Sequence, residues 1–310
     1  MTLAACAMSH SPLAGLNDPP PAERADIDAA VGRARAFVAG FDPDLVVLFG
    51  VDHFNGFLYG VMPQFCVGTK ATAIGDYRSA AGALTVAPEA TLCAEHLLGA
   101  GVDVAVSADM TVDHAFAQPL QLLTGALDAV PLIPIFVNAA APPRSPIGRS
   151  RVVGDAVGRW AAGLGRRVLF LGSGGLSHDP PVPSLDGAPP ELVDRLLHGI
   201  TPEARQRREG DVVGLAQDFA AGRTALIPLS PSFDERFLEL VRTQALAEID
   251  GWDDEWLTAN FGRAVHEIRT WVAAFSALAS AGPYDVTDVF YRAVPDWLVG
   301  FGLITATSGG

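Results

Sequence analysis

Cysteine is scarce in this 310-residue chain: Cys6, Cys66 and Cys93 are the only three, and no two form a C-x-x-C pair. Scattered thiols in odd number argue against a disulfide framework and fit reduced, buried side chains in a cytosol. Lysine is scarcer still, with Lys70 standing alone. Lysine and arginine together number 21 against 35 acidic residues, which gives a net charge of −14 and a sequence pI of about 4.8. That imbalance speaks against nucleic acid and against an anionic membrane surface as partners. No apolar run approaches the length needed to span a bilayer, and no basic leader precedes a long apolar stretch at the N-terminus. The expected location is the cytoplasm. Internal repeats and low-complexity linkers are absent too, so residues 1–310 read as a single domain.

The chain does have ample core material: 49 % of its residues are hydrophobic and only 18 % charged, the balance of a globular protein. Leu45 to Phe49 is an unbroken apolar run between Pro43 and Gly50, the pattern of a strand buried on both faces in a parallel sheet. Leu3–Met8, Val102–Val106, Leu132–Val137 and Val168–Gly172 are the other strand candidates. Helical spacing is expected between them over 22–41, 88–100, 116–127 and 147–164. Strands alternating with helices predict an α/β fold, with a mostly parallel central sheet flanked by helices and a site at the strand C-terminal ends. The C-terminal third reads as helical, ending in an aromatic tail from Tyr291 to Phe301. Residues 54–87 read as loops with short strands, and 184–235 as an excursion over the crevice with one helix from Asp211 to Ala221.

Four of the seven histidines, His10, His53, His114 and His178, fall within a few residues of the end of a predicted strand. In open α/β sheets that edge borders the ligand crevice. The segment His266-Glu-Ile-Arg-Thr-Trp271 adds a carboxylate. Glu267 shares a helical face with Trp271, Phe275 and Leu278, so it should be buried with them. A buried carboxylate must be protonated, paired or bound to a metal; an arginine partner is the structural alternative. Two strand-end histidines with one carboxylate form the facial donor set of non-haem Fe(II) oxygenases, leaving three positions open for a bidentate substrate and O2. The other two histidines remain free for proton transfer, which suits a side chain that titrates near neutrality.

Each signal has a plainer reading. One histidine after a strand is usually a hydrogen-bonded structural residue; four are harder to dismiss. The Gly172–Gly175 turn lacks the Lys-Ser/Thr of a P-loop. Ser177 and His178 are sequence neighbours and so poorly placed to act as a nucleophile pair. His96 and His198 read as surface residues, and Trp271 and Phe275 as core. Spacing alone therefore gives a metal or acid–base site.

Several blocks carry more. They are Ser9-His-Ser-Pro-Leu13, Asp52-His-Phe-Asn-Gly-Phe57, Ala71-Thr-Ala-Ile-Gly-Asp76, Asp113-His-Ala-Phe-Ala-Gln-Pro-Leu120 and Leu171-Gly-Ser-Gly-Gly-Leu-Ser-His178. His266-Glu-Ile-Arg-Thr-Trp-Val-Ala-Ala-Phe275 and Tyr291-Arg-Ala-Val-Pro295 complete the set. In this order the chain resembles the class III extradiol ring-cleavage dioxygenases over nearly its whole length. The resemblance implies Fe(II) held by His10, His53 and Glu267, with His114 and His178 as the acid–base pair. It implies a homo-oligomer that opens a catechol with O2, the expected substrate being 2,3-dihydroxyphenylpropionate or the related cinnamate. Ala115 and Val51 stand where the family pattern has glycine and proline, close to the site. The acidic tail of such a substrate needs a cation, for which Lys70, Arg78, Arg269 and Arg292 compete. A different catechol, such as a protocatechuate-like acid, a zinc hydrolase using the same ligands and a non-catalytic binding module are the alternatives.

Overall fold

The computed structural model describes residues 2–309. The chain opens with β1 (Leu3–Met8), α1 (Pro21–Phe41) and β2 (Leu45–Gly50). Short elements follow: β3 (Phe65–Gly68), β4 (Ala71–Ile74), β5 (Ala81–Ala83), α2 (Ala90–Gly99), β6 (Ala105–Ser107) and β7 (Met110–Val112). Next come α3 (His114–Leu123), β8 (Leu132–Val137), α4 (Gly148–Ala162) and β9 (Val168–Ser173). A helical stretch then holds α5 (Pro190–His198), α6 (Pro202–Ala220), α7 (Pro231–Arg242), α8 (Asp254–Phe261) and α9 (Ile268–Ala279). Two long strands, β10 (Tyr284–Val294) and β11 (Val299–Ser308), close the chain.

The main sheet has eight strands in the order β10-β11-β1-β9-β2-β8-β3-β6. Its centre, β1-β9-β2-β8, is parallel throughout, and every residue of these four strands is buried. Burial on both faces is why they read as continuous apolar runs. Parallel pairing also sends their four C-terminal ends to the same edge. One core cluster lies between the sheet and α2, α4, α7 and α9, and a second between the sheet and α1 and α3. Small residues set how closely the first layer packs. A Cβ on Gly154 of α4 would sit 2.1 Å from the carbonyl oxygen of Ala273, and one on Gly158 would sit 2.0 Å from that of Ala277. α4 and α9 therefore touch backbone to backbone, which anchors the helix that begins next to Glu267.

Two regions differ from expectation. The aromatic tail is not helical: β10 and β11 pair antiparallel, and β11 adds to β1 at the edge of the sheet. Valine, tyrosine and phenylalanine make up six of the eleven residues of β10 and favour a pleated surface. The strand preceding His114 is β7, in a separate three-stranded sheet of order β5-β4-β7. Three- and four-residue strands are too short to leave a periodic trace. Among the described residues, no helix is long and apolar enough to cross a membrane.

Candidate metal and catalytic site

Neighbouring strands of the parallel edge deliver the first three imidazoles. β1 ends just before His10, β2 just before His53, and β9, which lies between them, runs into the loop that carries His178. The small sheet supplies the fourth. β4 and β7 are parallel, so Asp76 beyond β4 and His114 beyond β7 emerge side by side. Glu267 closes the group from the turn Val265–Glu267 that leads into α9. The loop after β9 must pass beneath that turn. A Cβ on Gly174 would lie 2.8 Å from Glu267 Cβ, and one on Gly175 would lie 2.6 Å from His178 Cε1. Glycine is required at both positions by close approach.

Each imidazole has its Nδ1 occupied on the outer side. His10 Nδ1 meets Ser173 Oγ at 3.0 Å, His53 Nδ1 meets Asp113 Oδ2 at 3.0 Å, and His114 Nδ1 meets Asp76 Oδ2 at 2.5 Å. His178 Nδ1 donates to the Leu176 carbonyl at 2.7 Å. Three of the Nε2 atoms face the carboxylate. His10 Nε2 lies 3.4 Å from Glu267 Oε2, and His53 and His178 Nε2 each lie 3.4 Å from Oε1. His114 Nε2 is buried with no hydrogen-bond partner. His10, His53 and His114 also each offer a ring nitrogen within 4.8 Å of the other two, so His10 and His53 belong to both groupings.

Among the described residues, no guanidinium meets Glu267. Arg269, two residues on, turns away to Asp254 at 2.6 Å and to His266 Nδ1 at 2.7 Å. Glu267 instead accepts the Gly175 N–H through Oε2 at 2.7 Å. Burial would raise its pKa, but His178, by charge and hydrogen bond, and the hydrogen bond from His53 override that and hold it well below the ordinary carboxylate range. Burial pushes His10 down to about 3, so its ring is neutral. His53 goes the other way: burial disfavours its cation, yet Asp113 alongside holds its pKa well above the ordinary value. The result is a buried anion ringed by imidazole nitrogens.

This donor set fits a divalent cation. Contacts of 3.4 Å are longer than an ordinary N–H···O bond of about 2.9 Å. Two donors each about 2.1 Å from one cation, at roughly right angles, would sit about 3 Å apart. Asp113 behind His53 is the carboxylate partner that fixes a ligand's tautomer. It also accepts from the His53 N–H at 2.9 Å and from Asn55 Nδ2 at 3.0 Å, and caps α3 through the Ala115 N–H at 3.0 Å. Asp52 has a structural task, accepting the N–H groups of Asn55, Gly56 and Phe57 at 2.9–3.1 Å. These bonds hold Phe54 at a φ of 61°, a conformation that costs an aromatic residue about 1–2 kcal/mol.

The site floors a cavity of 580 Å3 whose far side is formed by residues of α5 and α6, among them Leu192, Val212 and Leu215. The profile of the family described as the catalytic LigB subunit of aromatic ring-opening dioxygenase matches residues 4–302. The chain belongs to the LigB family.

Curated relatives agree along the full length. The chain is 48 % identical to a 2,3-dihydroxyphenylpropionate/2,3-dihydroxicinnamic acid 1,2-dioxygenase of Rhodococcus jostii (strain RHA1), covering 99 % of each protein. It is 52 % identical to the protein of that name in Mycolicibacterium vanbaalenii, over 98 % of this chain and 97 % of the relative. For the Burkholderia vietnamiensis protein the identity is 49 % over 96 % and 95 %. Among solved structures, an uncharacterized protein of Escherichia coli K12 superposes with a TM-score of 0.51 at 12 % identity, covering 97 % of this chain and 98 % of that one; that likeness concerns the fold alone. This LigB-family chain is an extradiol dioxygenase.

The five residues expected from the sequence, His10, His53, His114, His178 and Glu267, all line the one cavity. The four cations considered for an acidic tail do not. Lys70 is exposed and pairs with Asp109 at 2.9 Å, Arg269 is buried under α8, and Arg292 pairs with Asp26 at 2.7 Å on the surface. Arg78 lines a separate pocket beside α1 and α3. Sequence reading assigned no role to Asp76, Asp113 or Ser173. Asp113 directly precedes a histidine, which is a visible hint, but its contact with His53 spans 60 residues and is set by tertiary structure. Ser177 is structural, donating to Asp234 at 2.7 Å. His266 is structural too, meeting Thr258 Oγ1 at 2.7 Å and pushed down to about 2 chiefly by burial.

Proposed function

We propose that the chain holds Fe(II) with His10, His53 and Glu267 and opens 2,3-dihydroxyphenylpropionate, or the corresponding cinnamate, beside its two hydroxyls. The observation that carries this reading is the buried Glu267 carboxylate, which no guanidinium or ammonium group meets among the described residues while the Nε2 atoms of His10 and His53 face it at 3.4 Å. A buried charge of that kind calls for a counter-cation, and two histidines with one carboxylate are the facial set that suits ferrous oxygenases. Names carried by relatives about half identical over their whole length favour the propionate and cinnamate catechols over a protocatechuate-like acid.

When bound, the Fe(II) would supply adjacent open positions for both catechol oxygens and O2, and the electronic path between them. The protein's own groups handle protons and water. His178 has a neutral carbonyl on Nδ1, so its Nε2 presents a lone pair suited to take a proton from a catechol hydroxyl. His114 has the Asp76 carboxylate on Nδ1, a partner that orients the ring for donating a proton. Its unpartnered Nε2 is free to deliver that proton to oxygen as the O–O bond breaks. Leu192, Val212 and Leu215 on the cover limit the water that reaches the floor, which strengthens these interactions.

The reading also takes the chain as a cytoplasmic homo-oligomer; β10 leaves one edge of the main sheet open for pairing, and size-exclusion chromatography at working concentration checks it. Anaerobic loading with Fe(II), followed by air and 2,3-dihydroxyphenylpropionate, is the direct test. A yellow ring-opened product with uptake of O2 is expected. Turnover supported by zinc and independent of O2 would replace this reading with a hydrolase.

A further inference from the structure

Three arginines line the catalytic cavity: Arg195 of α5 and Arg205 and Arg208 of α6. Most arginines of this chain are answered by a carboxylate, as Arg24, Arg33, Arg151 and Arg263 illustrate. None of the cavity arginines forms an ion pair with an aspartate or glutamate among the described residues. Their one hydrogen bond to protein runs from Arg208 Nη1 to the His53 carbonyl at 3.4 Å. Arg205 Nε is buried with no partner. Burial, together with the like charge of Arg208, lowers the pKa of Arg195. Two acids of α6 also line the cavity: Glu209 is engaged by the Tyr77 N–H at 3.1 Å, and Asp211 is exposed.

The spacing shows why these cations face inward. Arg205, Arg208, Val212 and Leu215 recur at three, four and three residues, one stripe of α6, and all four line the cavity. Gln206 and Arg207 beside them are exposed. A stripe with two apolar and two cationic members offers an apolar wall for a hydrocarbon chain and, one to two turns away, guanidinium groups for its end. Uncompensated cations gathered in a sheltered space are costly, and guanidinium is the group best matched to a carboxylate.

We infer that Arg205 and Arg208, assisted by Arg195, form an anion subsite that takes the carboxylate at the end of a short side chain on the catechol ring. The inference rests on the dioxygenase reading above and names its substrate class: catechols carrying a three-carbon acid next to a hydroxyl. The Arg208 contact with the His53 carbonyl sets the subsite against a proposed iron ligand. A ring whose hydroxyls lie on the floor can then reach the arginines with its substituent.

The test uses the Fe(II)-loaded enzyme and two pairs of compounds. Ring opening of 2,3-dihydroxyphenylpropionate is compared with that of 3-ethylcatechol, which has an uncharged substituent. The wild type should prefer the acid. Arg205→Gln and Arg208→Gln should each lower the ratio of kcat/KM values, acid over ethyl compound, by about tenfold or more, chiefly through KM for the acid; Arg208→Lys should restore part of it. Calorimetric binding of 3-phenylpropionate against 3-phenyl-1-propanol gives a readout that needs no turnover. The wild type should bind the acid at least about tenfold more tightly, and the double glutamine variant should lose the difference. Equal binding of acid and alcohol by the wild type, or an unchanged ratio in both single variants, overturns the subsite. Selective binding of phenylpropionate by an enzyme that opens neither catechol upholds the subsite and sinks the proposed ring opening of 2,3-dihydroxyphenylpropionate.

Discussion

The floor of the cavity comes from strands that are buried along their whole length, with β1, β9 and β2 ending in or near His10, His178 and His53. Its cover comes from α5 and α6, in which Leu196 and Ala216 are the buried residues. On the floor nearly every polar atom is committed: each Nδ1 has a partner, and Asp113 alone receives four hydrogen bonds. On the cover three guanidinium groups have one hydrogen bond between them. Groups proposed to hold a cation and move protons need fixed positions, and buried strand ends supply them. Groups that only choose among substrates can sit on a less embedded helix and wait for their partner. The contrast predicts that changes on the floor abolish chemistry and changes on the cover redistribute preference.

Removing a proposed ligand should have the largest effect. Glu267→Gln or His53→Ala should lower ring opening by more than about 1,000-fold and abolish stable iron binding, with the far-ultraviolet circular dichroism unchanged. His114→Phe comes next: kcat should fall by about 100- to 10,000-fold with iron content retained, which distinguishes a proton donor from a ligand. Asp113→Asn should cost about 10- to 100-fold in iron affinity or activity, measured by chelator competition, because it loosens His53 without removing it. Gly154→Ala lies away from the cavity and should leave the cover's preferences intact. Its methyl group would meet the Ala273 carbonyl, so thermal unfolding should show a loss of about 1–3 kcal/mol. Leu215→Ala, on the cover, should move KM for the substrate by less than about tenfold and leave kcat alone. A cover substitution that removed iron would break the contrast.

The parallel centre of the sheet was legible because strands buried on both faces leave continuous apolar runs, and Leu3–Met8 and Leu132–Val137 have the bounds expected of them. That five residues would gather at one cavity was legible because strand ends and a helix face put them in recognisable places. Asp76 could not be read so easily: its partnership with His114 depends on two short parallel strands in a second sheet. The anion-seeking arginines were missed for another reason. Helix α6 begins at Pro202, well before the expected start at Asp211. Arg205 and Arg208 therefore fell outside any assigned helix, and their shared face with Val212 and Leu215 was invisible. The C-terminal strands were masked by the helices before them; their alternation is weak because much of β11 is buried on both faces.

Equilibrium Fe(II) binding under anaerobic conditions tests the central claim most directly. The account predicts one Fe(II) per wild-type chain, loss of that site in Glu267→Gln and His53→Ala, and its retention in His114→Phe. Full stoichiometry in Glu267→Gln, with the metal lost instead when His114 is replaced, would contradict it and move the cation to the three-histidine grouping.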